Sequence, residues 1–111
     1  MTDQAKLLGL INENIELNHI QKNVTAKELN WGEDAAANLN GPFDIIVASD
    51  LIANCYASDL AKLISSMEYN STKKTDIFLS YEKRDPRDVE FFKLLKEKFD
   101  YTKVKAACRQ N

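Results

Sequence analysis

The apolar run Phe43-Asp44-Ile45-Ile46-Val47-Ala48 constrains the fold more than any other part of this chain. It is entered through Gly41-Pro42 and closed by Asp50, it has strand length, and it is nearly continuous in apolar character. That pattern predicts a buried strand of a parallel sheet, because such strands are covered on both faces. Leu60, Leu63, Ile64 and Met67 then recur at helical spacing, with Ser58 or Asp59 available as N-cap. Ile77, Phe78 and Leu79 form the next short buried strand. Strand and helix signals in alternation are the pattern of α/β layering.

The flanks extend that alternation. Asp3 is placed to cap a first helix that carries Leu7, Leu8, Ile11 and Ile15 on one face and ends near Asn18. Val24 to Leu29 alternates weakly and reads as a strand. Asp85-Pro86 reads as a helix start, since proline in the first turn sacrifices no hydrogen bond, and Val89, Phe92, Leu95 and Phe99 turn that helix inward. A last strand is expected from Tyr101 through Val104, without a visible partner. With 111 residues the chain is one domain at most and buries a modest core. Its 44% hydrophobic and 29% charged residues are those of a globular chain, not a disordered one.

Several function classes lack their motifs. Fifteen basic and 17 acidic residues are scattered with a net charge of -2, which leaves no basic stripe for a phosphate backbone, so no nucleic-acid partner is expected. No apolar run reaches the roughly 20 residues that span a bilayer, and no signal peptide follows Met1. The cytosol or nucleus is the default compartment. Cys55 and Cys108 lack metal-ligand spacing and read as reduced thiols. There is no phosphate-binding glycine loop, no His/Glu metal helix and no serine elbow, and His19 reads as a solvated loop residue. No metal is expected.

What remains is polar and aromatic residues at the C-terminal ends of expected strands, where open α/β sheets place their ligands. Asp3, Trp31 and Asp50 fall there. The Asp50 carboxylate either caps the following loop or accepts hydrogen bonds from an amine substrate. Trp31 either fills a gap between layers or stacks on a flat ring.

Met1-Thr2-Asp3, the first helix with Asn14 and Asn18, Leu29-Asn30-Trp31-Gly32, Phe43 to Asp50 and Glu82-Lys83-Arg84 stand in the order seen in one family. Over essentially its whole length the chain resembles the class I S-adenosylmethionine-dependent methyltransferases, in particular the methyltransferase-like protein lysine methyltransferases. The resemblance implies a partial Rossmann-like methyltransferase sheet with flanking helices, truncated at both ends and forming a single partial domain over residues 1–111. It implies S-adenosylmethionine as cofactor and a protein bearing a target lysine as partner. It assigns Asp3 to the ribose, Trp31 to the neighbourhood of the adenine and the Ala48 backbone to the cofactor's side. Asp50 matches the first position of the family's Asp-x-x-aromatic motif beside the acceptor lysine. The fourth position is Ala53, so the motif's aromatic is missing here unless Tyr56 reaches the place through a slightly longer loop.

In the family a first strand and a glycine-rich turn precede the segment that matches Met1 to Asp3. That turn brings backbone close to the methionine moiety of the cofactor, so the isolated 111 residues are expected to bind S-adenosylmethionine poorly. The family's sheet order places its first and second strands between its third and fourth. The expectation is therefore either re-pairing into a smaller sheet or dependence on a missing segment. Two functions follow: methyl transfer to a protein lysine, or a noncatalytic fragment or pseudoenzyme that binds a protein. A receiver-like domain phosphorylated at Asp50 is a weaker third, because a neighbouring acidic pair for magnesium is missing.

Overall fold

The computed structural model describes residues 1–32, 37–52, 59–83 and 85–105. Ser58, Tyr56, Arg84 and both cysteines lie outside these residues. The elements run in chain order as β1 (Thr2–Asp3), α1 (Leu8–Leu17), β2 (Lys27–Glu28), β3 (Ile45–Ser49), α2 (Leu60–Tyr69), β4 (Asp76–Ser80) and α3 (Val89–Lys98). Short 3-10 turns lead into α1 at Ala5–Leu7 and into α3 at Pro86–Asp88, and a third spans Ala37–Leu39.

The strands form two separate parallel pairs. β1 lies beside β2 with Thr2 opposite Lys27, and β3 lies beside β4 with Ile45 opposite Asp76 and Ser49 opposite Ser80. The second register is fixed from both ends. At one end Thr75 Oγ1 donates to the Phe43 carbonyl at 2.6 Å and the Phe43 N–H donates to the Asn70 carbonyl at 2.8 Å. At the other the Asp50 N–H donates to the Ser80 carbonyl at 3.3 Å. Among the described residues no ladder joins the two pairs, so the re-pairing into one smaller sheet does not occur.

The core lies on one side of the β3–β4 pair. Leu60, Leu63, Ile64 and Met67 of α2 are all buried, as their spacing predicts, and they pack with Ile52, Phe91 and Leu95. Ile77 and Leu79 close this cluster from the sheet. The opposite sheet face is open: Ile45 is 61% exposed, Val47 74% and Phe78 60%. The expectation of strands buried on both faces therefore holds for one face only. Strand residues alternate sides, and α2 and α3 pack against each other on the Ile77 and Leu79 side.

Other expectations shift at the element ends. Asp3 does not cap α1; it belongs to β1, and its Oδ1 accepts the Gln4 N–H at 2.7 Å. Ile15 is the buried residue of α1, Leu8 and Ile11 are half-buried, and Leu7 is exposed. The strand expected over Val24 to Leu29 contracts to Lys27–Glu28. Asp85 does start a helix: its Oδ1 accepts the Arg87 N–H at 2.8 Å while Asp88 Oδ2 accepts the Asp85 N–H at 3.2 Å, a reciprocal cap. Along α3, Leu95 is buried and Phe92 and Phe99 pack against the core as their spacing predicts, whereas Val89 is exposed and Phe91 is fully buried. Residues 101–105 form no strand. Two of them contact α3, the Tyr101 ring 6.0 Å from Phe92 and Lys103 Nζ 5.4 Å above it. No described helix is long and apolar enough to cross a membrane.

Candidate functional site

Each parallel pair gathers its C-terminal ends on one edge, and polar residues singled out from the sequence stand at these edges. Asp3 ends β1, Asp50 follows the last residue of β3, and Tyr81 with Glu82 follows β4. Asp50 adopts a positive φ of 55°, a left-handed conformation that aspartate tolerates better than most residues. The residue is exposed. Asp3 is half-buried.

A cleft of ≈ 510 Å³ lies between the two strand pairs. Trp31 and Ala48 border it together, with Thr2 and Leu29 from the first pair and Val47 from the second. Asp3 and Asp50 sit at the strand ends outside this lining, and Tyr56 lies outside the described residues. Thus Trp31 and Ala48 are brought together at the cleft, whereas Asp3 and Asp50 stand on separate strand pairs. A second hollow of ≈ 310 Å³ lies at the opposite end of β4, near Asp76 and Thr75. The first cleft runs along β3 from Phe43 to Ala48, and it is the one that Trp31 and Ala48 border. Among the described residues no cluster of three or more metal-ligating side chains occurs.

Trp31 is positioned by a contact that sequence reasoning missed. Ser66 of α2 is buried, and its Oγ accepts the Gly32 N–H at 2.8 Å. The same hydroxyl has the Gly32 carbonyl at 3.2 Å and the Lys62 carbonyl at 3.0 Å to donate to. Gly32 itself has φ 145°, a conformation L side chains rarely adopt. The glycine after Trp31 therefore lets backbone bond directly to α2 while the indole packs against the core cluster. Asn70, one turn beyond Ser66, is also buried; its Nδ2 donates to the Ser66 carbonyl at 3.1 Å. A Cβ on Gly41 would collide with the Asn70 side chain, so Gly41 fixes the approach to β3. The available signal was the position of Ser66 and Asn70 on the same helical face as Leu63 and Met67.

Gly32→Ala is expected to lower stability by about 1–3 kcal/mol, the usual cost of a residue held in a sparsely populated backbone region. Urea unfolding followed through Trp31, the one tryptophan of the chain, measures it. An unchanged midpoint would mean that the Gly32–Ser66 contact does not depend on this backbone conformation.

The lysine methyltransferase family model matches residues 1–98. Mouse protein N-lysine methyltransferase METTL21A is 31% identical over 108 residues, covering 94% of this chain and 48% of the mouse protein. Protein-lysine N-methyltransferase EFM6 of Saccharomyces cerevisiae is 30% identical over 115 residues, covering 94% of this chain and 46% of the yeast protein. The zebrafish METTL21A is 29% identical with the same coverage as the mouse protein. The chain thus spans about half the length of these relatives. Enzymes of this family generally use S-adenosylmethionine. The match over most of the chain, together with a mixed α/β fold in keeping with part of a methyltransferase domain, places this chain in the lysine methyltransferase family.

Proposed function

We propose that residues 1–111 form one partial domain of a protein-lysine N-methyltransferase, supplying the adenosine side of the cofactor site and the acceptor-lysine side. The observation that carries this reading is the family match over residues 1–98, on a chain whose Asp3 and Asp50 end parallel strands. In this reading Asp3 bonds the ribose, Trp31 lies near the adenine and the Ala48 backbone runs alongside. The cofactor supplies an electrophilic methyl group on a sulfonium. Asp50 orients the substrate ε-amine by accepting its hydrogen bonds, with Tyr56 packing beside it. Exclusion of water around the amine favours its neutral, nucleophilic form. The partner is a protein bearing the target lysine, with no part for nucleic acid or membrane, in the cytosol or nucleus.

The residues present fit only part of the cofactor. The three glycines of the sequence, Gly9, Gly32 and Gly41, are scattered and do not form a glycine-rich turn of the kind that lets backbone approach the methionine moiety. The second reading, a noncatalytic protein-binding fragment, draws support from the same fact and from the two unjoined strand pairs.

Titration with S-adenosylhomocysteine, followed by Trp31 fluorescence and calorimetry, separates the readings. Partial contact predicts saturable but weak binding, with Kd near about 1 mM, or about 4 kcal/mol, and its loss in Asp3→Ala. Micromolar binding would mean that these residues also hold the methionine moiety. A folded chain with no binding at millimolar ligand overturns the cofactor assignments of Asp3 and Trp31, and leaves the protein-binding reading.

A further inference from the structure

We infer that Ser66 is a positioning residue for the adenine end of the cofactor site: its buried hydroxyl holds the backbone of Gly32, next to Trp31, and so sets where the indole stands relative to Ala48 across the cleft. The inference rests on the reading of that cleft as the adenosine side of the site.

The groups assigned to the cofactor come from different parts of the fold. Asp3 belongs to the β1–β2 pair and Ala48 to the β3–β4 pair, and among the described residues no ladder joins the two. Trp31 stands at the passage from one part to the other. At the end of the first pair the Leu29 N–H donates to the Asp3 carbonyl at 2.9 Å, and by Gly32 the chain is bonded to α2. Leu63, Ser66 and Met67 of α2 line the same cleft as Trp31 and Ala48. The point at which Gly32 docks on α2 therefore decides how Trp31 faces Ala48.

The chemistry of the serine shows which part of the contact matters. The hydroxyl proton has two carbonyls in reach, that of Gly32 at 3.2 Å and that of Lys62 at 3.0 Å. Donation to Lys62, one turn back in the same helix, is the ordinary local bond of a helical serine. In either orientation the oxygen still accepts the Gly32 N–H at 2.8 Å. The acceptor, not the donor, is therefore the constant part of the contact. It acts on a residue held at φ 145°, so it stabilises a backbone shape rather than a side chain, and the indole is carried by the residue just before. Ser66 is only 4% exposed, so water does not readily replace its oxygen. Loss of the acceptor leaves the Gly32 N–H unsatisfied and favours a different path of the chain at Trp31. A contacting side chain placed through a neighbour's hydrogen bond in this way loses its fit when that bond is removed.

The test compares the native 111-residue chain with Ser66→Ala, which removes the acceptor, and Ser66→Thr, which keeps it. Phe91→Leu serves as a control that loosens the core from α3 and leaves both partners of the Gly32 bond in place. S-adenosylhomocysteine and adenosine are titrated into each folded protein by ligand-observed NMR, and acrylamide quenching of Trp31 is measured without ligand. Ser66→Ala should weaken both ligands by the same factor, because adenosine is the part they share. That factor should be about fivefold, the equilibrium equivalent of one neutral hydrogen bond. Quenching of Trp31 should change with it. Ser66→Thr and Phe91→Leu should bind as the native chain does. Where Ser66→Ala does not fold, Ser66→Cys carries the same comparison, since its sulfur has a similar shape and is a weak acceptor. Native-like binding by the variant that lacks the acceptor, or an equal loss in Phe91→Leu, overturns the role of Ser66 and leaves the cofactor reading standing. A folded native chain that binds neither ligand overturns that reading, and the role of Ser66 falls with it.

Discussion

Phe91→Ala is expected to leave little folded protein at room temperature. Phe91 is 0% exposed and is the largest fully buried side chain among the described residues, packed with α2 and edge-on to Phe92 at 5.3 Å. Truncating a buried phenylalanine costs about 3–5 kcal/mol, the lost transfer energy plus the cavity left behind. Small domains have a total stability of about 5–15 kcal/mol. A chain whose sheet is divided and whose outer sheet face is open belongs at the lower end. Urea unfolding followed by circular dichroism should therefore show the midpoint falling by about 1.5–3 M, or no folded baseline. Val89→Ala is the companion measurement. Val89 is 48% exposed, so the change should stay within about 0.5 kcal/mol. A larger loss from Val89→Ala than from Phe91→Ala would mean that α3 presents a different face to the core.

That pair of substitutions marks where the sequence was legible and where it was not. In α2 the residues Leu60, Leu63, Ile64 and Met67 follow the helical period without interruption, and all are buried. In α3 the same reasoning selected Val89, Phe92, Leu95 and Phe99. Phe92, Leu95 and Phe99 do pack against the core, whereas Val89, the first residue of α3 after the capped 3-10 turn, is exposed, and Phe91 is the fully buried residue. Phe91 and Leu95 are themselves at i, i+4 spacing, so the segment offers two overlapping apolar stripes and the period alone does not choose between them.

The strands show a different limit. The run from Phe43 to Ala48 locates β3 correctly, but its uniform apolar character says nothing about which neighbours cover it. Ile45 and Val47 are exposed because the cover for their face is not among the described elements. At the site, Asp50 and Trp31 could be singled out by their position after strands, whereas the φ of 145° at Gly32 and its bond to Ser66 could not. Those features arise from contacts 34 residues apart, which local patterns do not record.

Asp88→Ala should be the second severe substitution, and its effect should depend on Tyr81. Asp88 is buried at the start of α3, and its Oδ2 accepts both the Tyr81 hydroxyl at 3.0 Å and the Asp85 N–H at 3.2 Å. Loss of the cap costs about 1 kcal/mol, and removing the acceptor of a half-buried hydroxyl adds about 1–3 kcal/mol. The expected total is about 2–4 kcal/mol, with Asp88→Asn intermediate because its amide oxygen can still accept one bond. A thermal unfolding cycle with Tyr81→Phe isolates the coupling, since the two residues touch and should not be additive. The same pair gives a pH signature. Burial, and then the hydrogen bond to Asp88, raises the Tyr81 phenol above its ordinary value of 10.0. The folded state therefore holds that proton more tightly than the unfolded chain does. This stabilisation is fully present below pH 10 and is lost as the pH climbs through the folded value. Melting temperatures measured from pH 8 to about 11 should fall more steeply for the native chain than for Tyr81→Phe. Parallel curves would mean that the fold does not hold Tyr81 neutral. Because Tyr81 directly follows β4, beside the Asp50 turn, the Tyr81–Asp88 bond also ties the start of α3 to the strand ends where the lysine amine is proposed to bind.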